Sequence, residues 1–200
     1  MSVTVQDIVK ATLEEMNGSY EDKQFTEGLK RREIYFNDQV DFNIINKVVH
    51  NIYRWNAEDA EAELDENKRS PITFHITSEG GCVNSMFSVI DAIQSSKTKV
   101  IGKGYGLVAS AGAYMFIACH ERHIQKNATL LMHAGGISLT GEANAARQTM
   151  KHYEEYDKRV KTLVLERSNI TPAMYTKRSK DEWYEHGDKC IELGLAEKLI

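Results

Sequence analysis

Four short stretches of this chain carry residues whose types and spacing suit acyl-transfer chemistry. Ser110 lies in Ala109-Ser110-Ala111-Gly112, where an apolar strand pattern gives way to a run of small residues. A serine at such a junction projects its hydroxyl while the following N–H points the same way, the logic of a nucleophile elbow. The complete Gly-x-Ser-x-Gly pattern is absent, because position 108 is Val. His133 closes the apolar run Thr129-Leu130-Leu131-Met132, the place for a general base at a strand end. Ser78-Glu79-Gly80-Gly81 joins a strand pattern to a helix pattern. Its glycines let backbone approach a ligand and leave N–H groups for an oxyanion. Asp181, in Lys180-Asp181-Glu182-Trp183, is a carboxylate able to orient an imidazole, and Asp157 and Asp188 stay open for that role.

Taken singly, each stretch has a plainer reading: a tight turn without a ligand, a capping serine, a structural histidine, a surface carboxylate. Taken together they supply a serine hydrolase. The hydroxyl needs a base, the base needs an orienting acid, and the developing oxyanion needs donors. His120 and His123 have a loose metal-like spacing, but no cysteine or carboxylate cluster completes a set, so no metal is expected.

The elements that must position these groups follow from periodicity. Residues 4–16 predict an amphipathic helix, and 17–30 read as polar and without regular structure. Residues 33–36 predict a strand and 42–55 a helix. The acidic stretch 58–66 reads as a solvated loop, as does Lys30-Arg31-Arg32. From Pro71 the alternation becomes regular: strand 72–77, helix 83–95, strand 99–105, helix 109–119, short strands at Ile124 and 129–132. A long polar helix follows over 142–167, then a helix capped by Thr171 with Pro172 in its first turn, and a last short helix over 189–193. Strands alternating with helices imply an α/β fold with parallel strands, and functional groups where strands run into helix N-termini.

Composition narrows the class. The chain has 200 residues, enough for one full core, and a formal net charge of −4, which argues against nucleic acid as a partner. Three widely spaced cysteines make a poor disulfide framework and suggest a reducing compartment, the cytoplasm. No stretch reads as a secretory signal or a membrane span.

The ordered set of motifs resembles the proteolytic subunit of the Clp protease, the ClpP family, over about residues 29–200. Leu29-Lys30-Arg31-Arg32-Glu33-Ile34-Tyr35-Phe36 resembles the family's leading strand. Ile76-Thr77-Ser78-Glu79-Gly80-Gly81 with Ile90-Asp91-Ala92-Ile93-Gln94 resembles its Asn-Ser-Pro-Gly-Gly loop and following helix. Gly106 to Ala113 resembles its nucleophile segment. Leu131-Met132-His133 with Gly141-Glu142-Ala143 resembles its histidine strand and handle helix, and Ile191 to Ala196 its tail.

The resemblance implies a ClpP/crotonase-type spiral of β-α units with a projecting handle region over about 134–167, preceded by an N-terminal segment over 1–28 that is mobile or axial. It implies Ser110 as nucleophile, His133 as base, Asp181 as acid, the N–H groups of Gly81 and Ala111 as oxyanion hole, and Gly135, Gly136 and Ile137 as the strand that pairs with substrate. It further implies stacked heptameric rings forming a tetradecamer, peptide and unfolded-protein substrates, and an AAA+ unfoldase that uses the ATP. No cofactor is implied on this chain. Glu79 stands where the family has proline, the Ser110–His133 interval is shorter than the family's, and the interval from Asp181 to the tail is one residue longer. Gly135-Gly136 sits closer to His133 than the family's glycines do, residues 56–70 are unusually long and acidic, and the N-terminus lacks the family's axial-loop pattern. Rival readings are a catalytically silent subunit of such a ring, an acyl-CoA-processing crotonase-fold enzyme, and a virus-type maturation protease.

Overall fold

The computed structural model describes residues 20–136 and 142–200. The expected helix over 4–16 and the substrate-strand residue Ile137 lie outside them. A seven-stranded sheet is built on the path β1 (Glu33–Phe36), β2 (Ile72–Ser78), β3 (Val100–Ala109), β4 (Glu121–Ile124) and β7 (Lys198–Leu199). All neighbours on this path are parallel. The crossovers are helical: α2 (His50–Glu61) between β1 and β2, α3 (Val83–Ser95) between β2 and β3, and α4 (Ala111–Ala118) between β3 and β4. β2 alternates between fully buried Ile72, Phe74 and Ile76 and half-buried Thr73, His75 and Thr77, so one face of the sheet makes the core. Every residue of α4 is buried, as its small and apolar composition requires.

β3 is longer than its expected 99–105 and changes partner along its length. Residues 101–104 pair with β4, while Leu107–Ala109 pair with β5 (Thr129–Met132). A register shift against β2 and Gly106 at φ 54° mark the bend between the two halves. The bend lets one strand carry both the sheet and the Ser110 junction. On the far side of β5, β6 (Trp183–His186) runs antiparallel, in a position that sequence periodicity did not reveal.

Three sequence expectations are corrected. Residues 20–30, read as lacking regular structure, form helix α1 (Tyr20–Lys30), which packs beside β1. The helix expected from residue 42 begins as a π-helical turn, Ile45–Val49, before α2. The acidic stretch and the basic cluster are not wholly solvated: Asp59 is buried, and its carboxylate accepts hydrogen bonds from both terminal nitrogens of Arg32 at 2.7 and 2.8 Å and from the Thr98 hydroxyl at 2.7 Å. The rest of 60–68 is exposed, as expected.

The long helix α5 (Ala143–Arg167) has 25 residues, about 37 Å of helix at 1.5 Å per residue. Its buried residues, Val160, Leu163 and Val164, all lie in its second half, so the first half stands off the body. Then come α6 (Pro172–Arg178), capped by the Thr171 hydroxyl on the Met174 N–H at 3.2 Å, and α7 (Gly187–Glu192) after β6. The tail is tied down by buried Arg122, whose guanidinium donates to the carbonyls of Leu195, Ile117 and Cys119 and pairs with Glu197.

Candidate active site

β3 runs directly into Ser110, which sits at φ 53°, ψ −122°, outside the regions favoured by L residues, before α4 begins at Ala111. The strain is held from several sides. The Ser110 N–H donates to the Leu131 carbonyl of β5 at 2.8 Å, and its own carbonyl accepts from the Tyr114 N–H. Gly112, two residues on, packs so closely on β2 that a Cβ there would lie 3.1 Å from Ser78 Cβ. An outlier of this kind, enforced by its neighbours, is typical of a functional side chain projected from a sharp strand–helix turn.

The Gly80-Gly81 turn lies against this junction. A Cβ on Gly80 would be 2.6 Å from Ser110 Cβ and 3.0 Å from the Ala111 nitrogen, and Gly80 has φ 99°. Two glycines are therefore required on both conformational and steric grounds. The turn is pinned by a segment that sequence reasoning did not single out. The Val40 N–H donates to the Gly80 carbonyl at 2.8 Å, the Cys82 N–H donates to the Val40 carbonyl at 2.7 Å, and Ser78 Oγ donates to the Asp38 carbonyl at 2.6 Å. These bonds use the groups on either side of the Gly81 N–H. Among the described residues neither the Gly81 N–H nor the Ala111 N–H has an acceptor. Glu79 is exposed.

His133 follows β5 and is half-buried. Its carbonyl accepts from the Tyr114 hydroxyl at 2.9 Å, which ties the end of β5 to the helix that Ser110 opens. Burial pushes the Tyr114 hydroxyl far up from its usual range, so it is a permanent donor. Tyr114 is a second residue that sequence reasoning passed over; its only signal was a polar tip inside an apolar helix. A cavity of about 280 Å³ brings together Ser110, Ala111, Gly81, His133 and Gly135. Among the described residues no hydrogen bond joins Ser110 Oγ to the His133 ring.

The carboxylates separate by position. Asp181 is exposed and lies outside the cavity wall, two residues before β6. β5 and β6 pair with Met132 opposite Trp183. The ladder ends at that pair; His133 and Glu182 are each the next residue beyond it, and the Glu182 carboxylate accepts a hydrogen bond from the Tyr184 hydroxyl. Asp188 is at the far end of β6, exposed and 4.0 Å from Lys126. Asp157, from α5, lines the cavity. Gly136, beside Gly135, is exposed, with open space where a Cβ would be on either glycine. His120 and His123 are engaged separately, by the Val100 N–H at 3.0 Å and by Glu121 at 2.6 Å. No described helix is long and apolar enough to cross a membrane.

A parallel sheet with helical crossovers, a strained serine where its bent strand meets a helix, and a long helix standing off the body define a mixed α/β protein of the ClpP/crotonase type. Comparison with known proteins agrees. The Clp protease family profile matches residues 16–200, and the chain belongs to that family. The chain is 25% identical over 175 residues to the ATP-dependent Clp protease proteolytic subunit 2 of Rhodococcus jostii, covering 86% of this chain and 85% of the relative. The protein of the same name from Pseudomonas aeruginosa is 25% identical over 174 residues (86% and 82% covered), and that of Treponema pallidum 23% over 178 residues (88% and 85%).

Proposed function

We propose that this chain is a serine endopeptidase that degrades peptides and unfolded proteins inside a ring-shaped chamber. The observation that carries the reading is the convergence of Ser110, held at φ 53°, with His133 and two unengaged N–H groups on one cavity. Ser110 Oγ attacks the scissile carbonyl carbon as His133 removes its proton. The oxyanion is held by the Gly81 and Ala111 N–H groups, and His133 passes the proton to the departing amine. Water, activated by the same histidine, then hydrolyses the acyl-enzyme. Substrate runs as an extended strand along 135–137. The chain itself needs no cofactor or metal for this. Family membership supports stacked heptameric rings, an AAA+ unfoldase that spends the ATP, and a cytoplasmic setting.

Asp181 is the proposed orienting acid. A second reading gives that role to Glu182, which, like His133, is the next residue beyond the last β5–β6 pair, Met132–Trp183.

The test is intact-mass labelling with a fluorophosphonate beside a Ser110→Ala control, with native mass recorded on the same sample. One adduct per chain, lost in the control and carried on a ring-sized particle, is the expected result. A well-assembled ring that takes no adduct and cleaves no peptide with any Clp-type unfoldase marks a silent subunit instead, and a CoA-responsive activity marks a crotonase-type enzyme.

A further inference from the structure

Ser110 and His133 come from different elements, and a short circuit of hydrogen bonds ties their main chains together. The Ser110 N–H donates to the Leu131 carbonyl of β5 at 2.8 Å, and the Tyr114 N–H donates to the Ser110 carbonyl at 3.2 Å. The Tyr114 hydroxyl then donates to the His133 carbonyl at 2.9 Å. The circuit runs from β5 through the nucleophile and the first turn of α4, and back to the base. Its last bond falls where the sheet stops supplying order. The β3–β5 ladder ends at Ala109–Leu131 and the β5–β6 ladder at Met132–Trp183, so His133 lies beyond both. Ala134, Gly135 and Gly136 follow it, exposed and outside any strand. The bond from Tyr114 thus takes over where ladder pairing ends.

The donor is a rigid one. Tyr114 is about 6% exposed and belongs to a helix in which every residue is buried. Its ring fills the core as phenylalanine would, so the hydroxyl is the added feature, and a buried hydroxyl is costly unless it is bonded. Among the described residues no hydrogen bond joins Ser110 Oγ to the imidazole, so alignment needs the His133 side chain to turn about a main chain that keeps its place. Misplacement of a reacting group by about 1 Å costs roughly a hundredfold in rate. We propose that Tyr114 is a positioning residue, whose hydroxyl fixes the His133 main chain and thereby sets where the imidazole stands relative to Ser110 Oγ. The proposal rests on the reading of Ser110 as nucleophile and His133 as base.

The experiment compares wild type with Tyr114→Phe and with Ile117→Val, which thins the same helix at a fully buried position without a bond to His133. Two substrates share one acyl part: a peptide amide and the matching nitrophenyl ester. Native mass and melting temperature are recorded for each variant. In Tyr114→Phe, kcat on the amide should fall about tenfold to a hundredfold with KM within about twofold, because the lost hydroxyl is bonded to protein and not to substrate. The loss of kcat/KM on the ester should be smaller. Amide cleavage needs His133 both to take the Ser110 proton and to hand it to the leaving amine, whereas nitrophenolate departs without a proton. Ile117→Val should lower the melting temperature and leave both substrates at the wild-type rate. An unchanged amide kcat in Tyr114→Phe, or a raised KM in its place, overturns the proposal. So do equal losses on amide and ester, an equal loss in Ile117→Val, or a Tyr114→Phe chain that does not assemble, each of which assigns the hydroxyl to the fold. All of these leave the protease reading intact. A wild-type protein that neither takes the fluorophosphonate nor cleaves either substrate overturns the protease reading first, and this proposal with it.

Discussion

Ser110 shows how much chemistry one backbone angle can carry. Its φ of 53° is sustained by the Leu131 carbonyl, by Gly112 packed on Ser78, and by Gly80, which has no Cβ to collide with it. Gly80→Ala therefore has a specific expected outcome. The new methyl would meet Ser110 Cβ at 2.6 Å, at a φ of 99° that alanine resists. The turn must shift, and its donors with it. Loss of one oxyanion donor costs about 10²–10³ in rate, so kcat should fall by that order while fluorophosphonate labelling slows in parallel. The acid is decided by a pair of variants. Asp181→Asn reduces kcat by orders of magnitude if Asp181 orients His133; if Glu182→Gln does so and Asp181→Asn does not, Glu182 is the acid. Sequence reasoning could reach Ser110 and His133 because each ends an apolar run at a sharp composition change. From the residues alone it left Asp157, Asp181 and Asp188 open, because carboxylates are common on surfaces and their usefulness depends on where the fold brings them.

At the scale of elements, the Arg32–Asp59–Thr98 cluster joins the start of β1, the end of α2 and the approach to β3. Asp59 is about 1% exposed, so cutting its partner away leaves a buried charge. Arg32→Ala should destabilise the fold by about 3–5 kcal/mol in urea unfolding, and a paired apolar replacement of Arg32 and Asp59 should recover much of that. The hydrogen bond from Arg32 is the largest cause holding the Asp59 carboxyl below its usual range, with Thr98 adding to it. The folded form thus binds its proton more weakly than the unfolded chain. The stabilisation is complete above the unfolded carboxylate pKa of about 3.9 and drains away as pH falls through the lower folded value. Urea unfolding midpoints should therefore differ between wild type and Asp59→Ala less at pH 2 than at pH 7. Periodicity located β1, β2, α3, β5 and α5 because each shows one dominant face. It misjudged the 58–66 stretch because a charge run looks the same whether all of its members are wet or one turns inward to meet a distant cation and hydroxyl. It missed β6 because Trp183-Tyr184-Glu185-His186 is too short and polar to alternate visibly; only pairing with β5 makes it a strand.

For the whole molecule, the first half of α5 is the feature with least to hold it within one chain. Its exposed side chains include Met150, at 44% exposure. If two rings stack through these helices, Met150→Asp should halve the native mass without lowering the melting temperature, because the residue has no part in the chain's own core. A melting temperature that falls with the mass would instead assign Met150 to the fold.

The order of the motifs along the chain was enough to determine the family, the α/β class and the parallel sheet, and to single out Ser110 and His133 as candidates. These are written in local residue type and in apolar periodicity, which act over a few residues. What only the tertiary structure decided are relations across distance: the Val40 segment that pins the Gly80-Gly81 turn, the bent β3 that feeds two partners, Tyr114 holding the His133 carbonyl, and Asp157 brought from α5 into the cavity of a serine 47 positions earlier. Such contacts depend on chain reversals whose register is set by packing, and packing leaves no local pattern in a sequence.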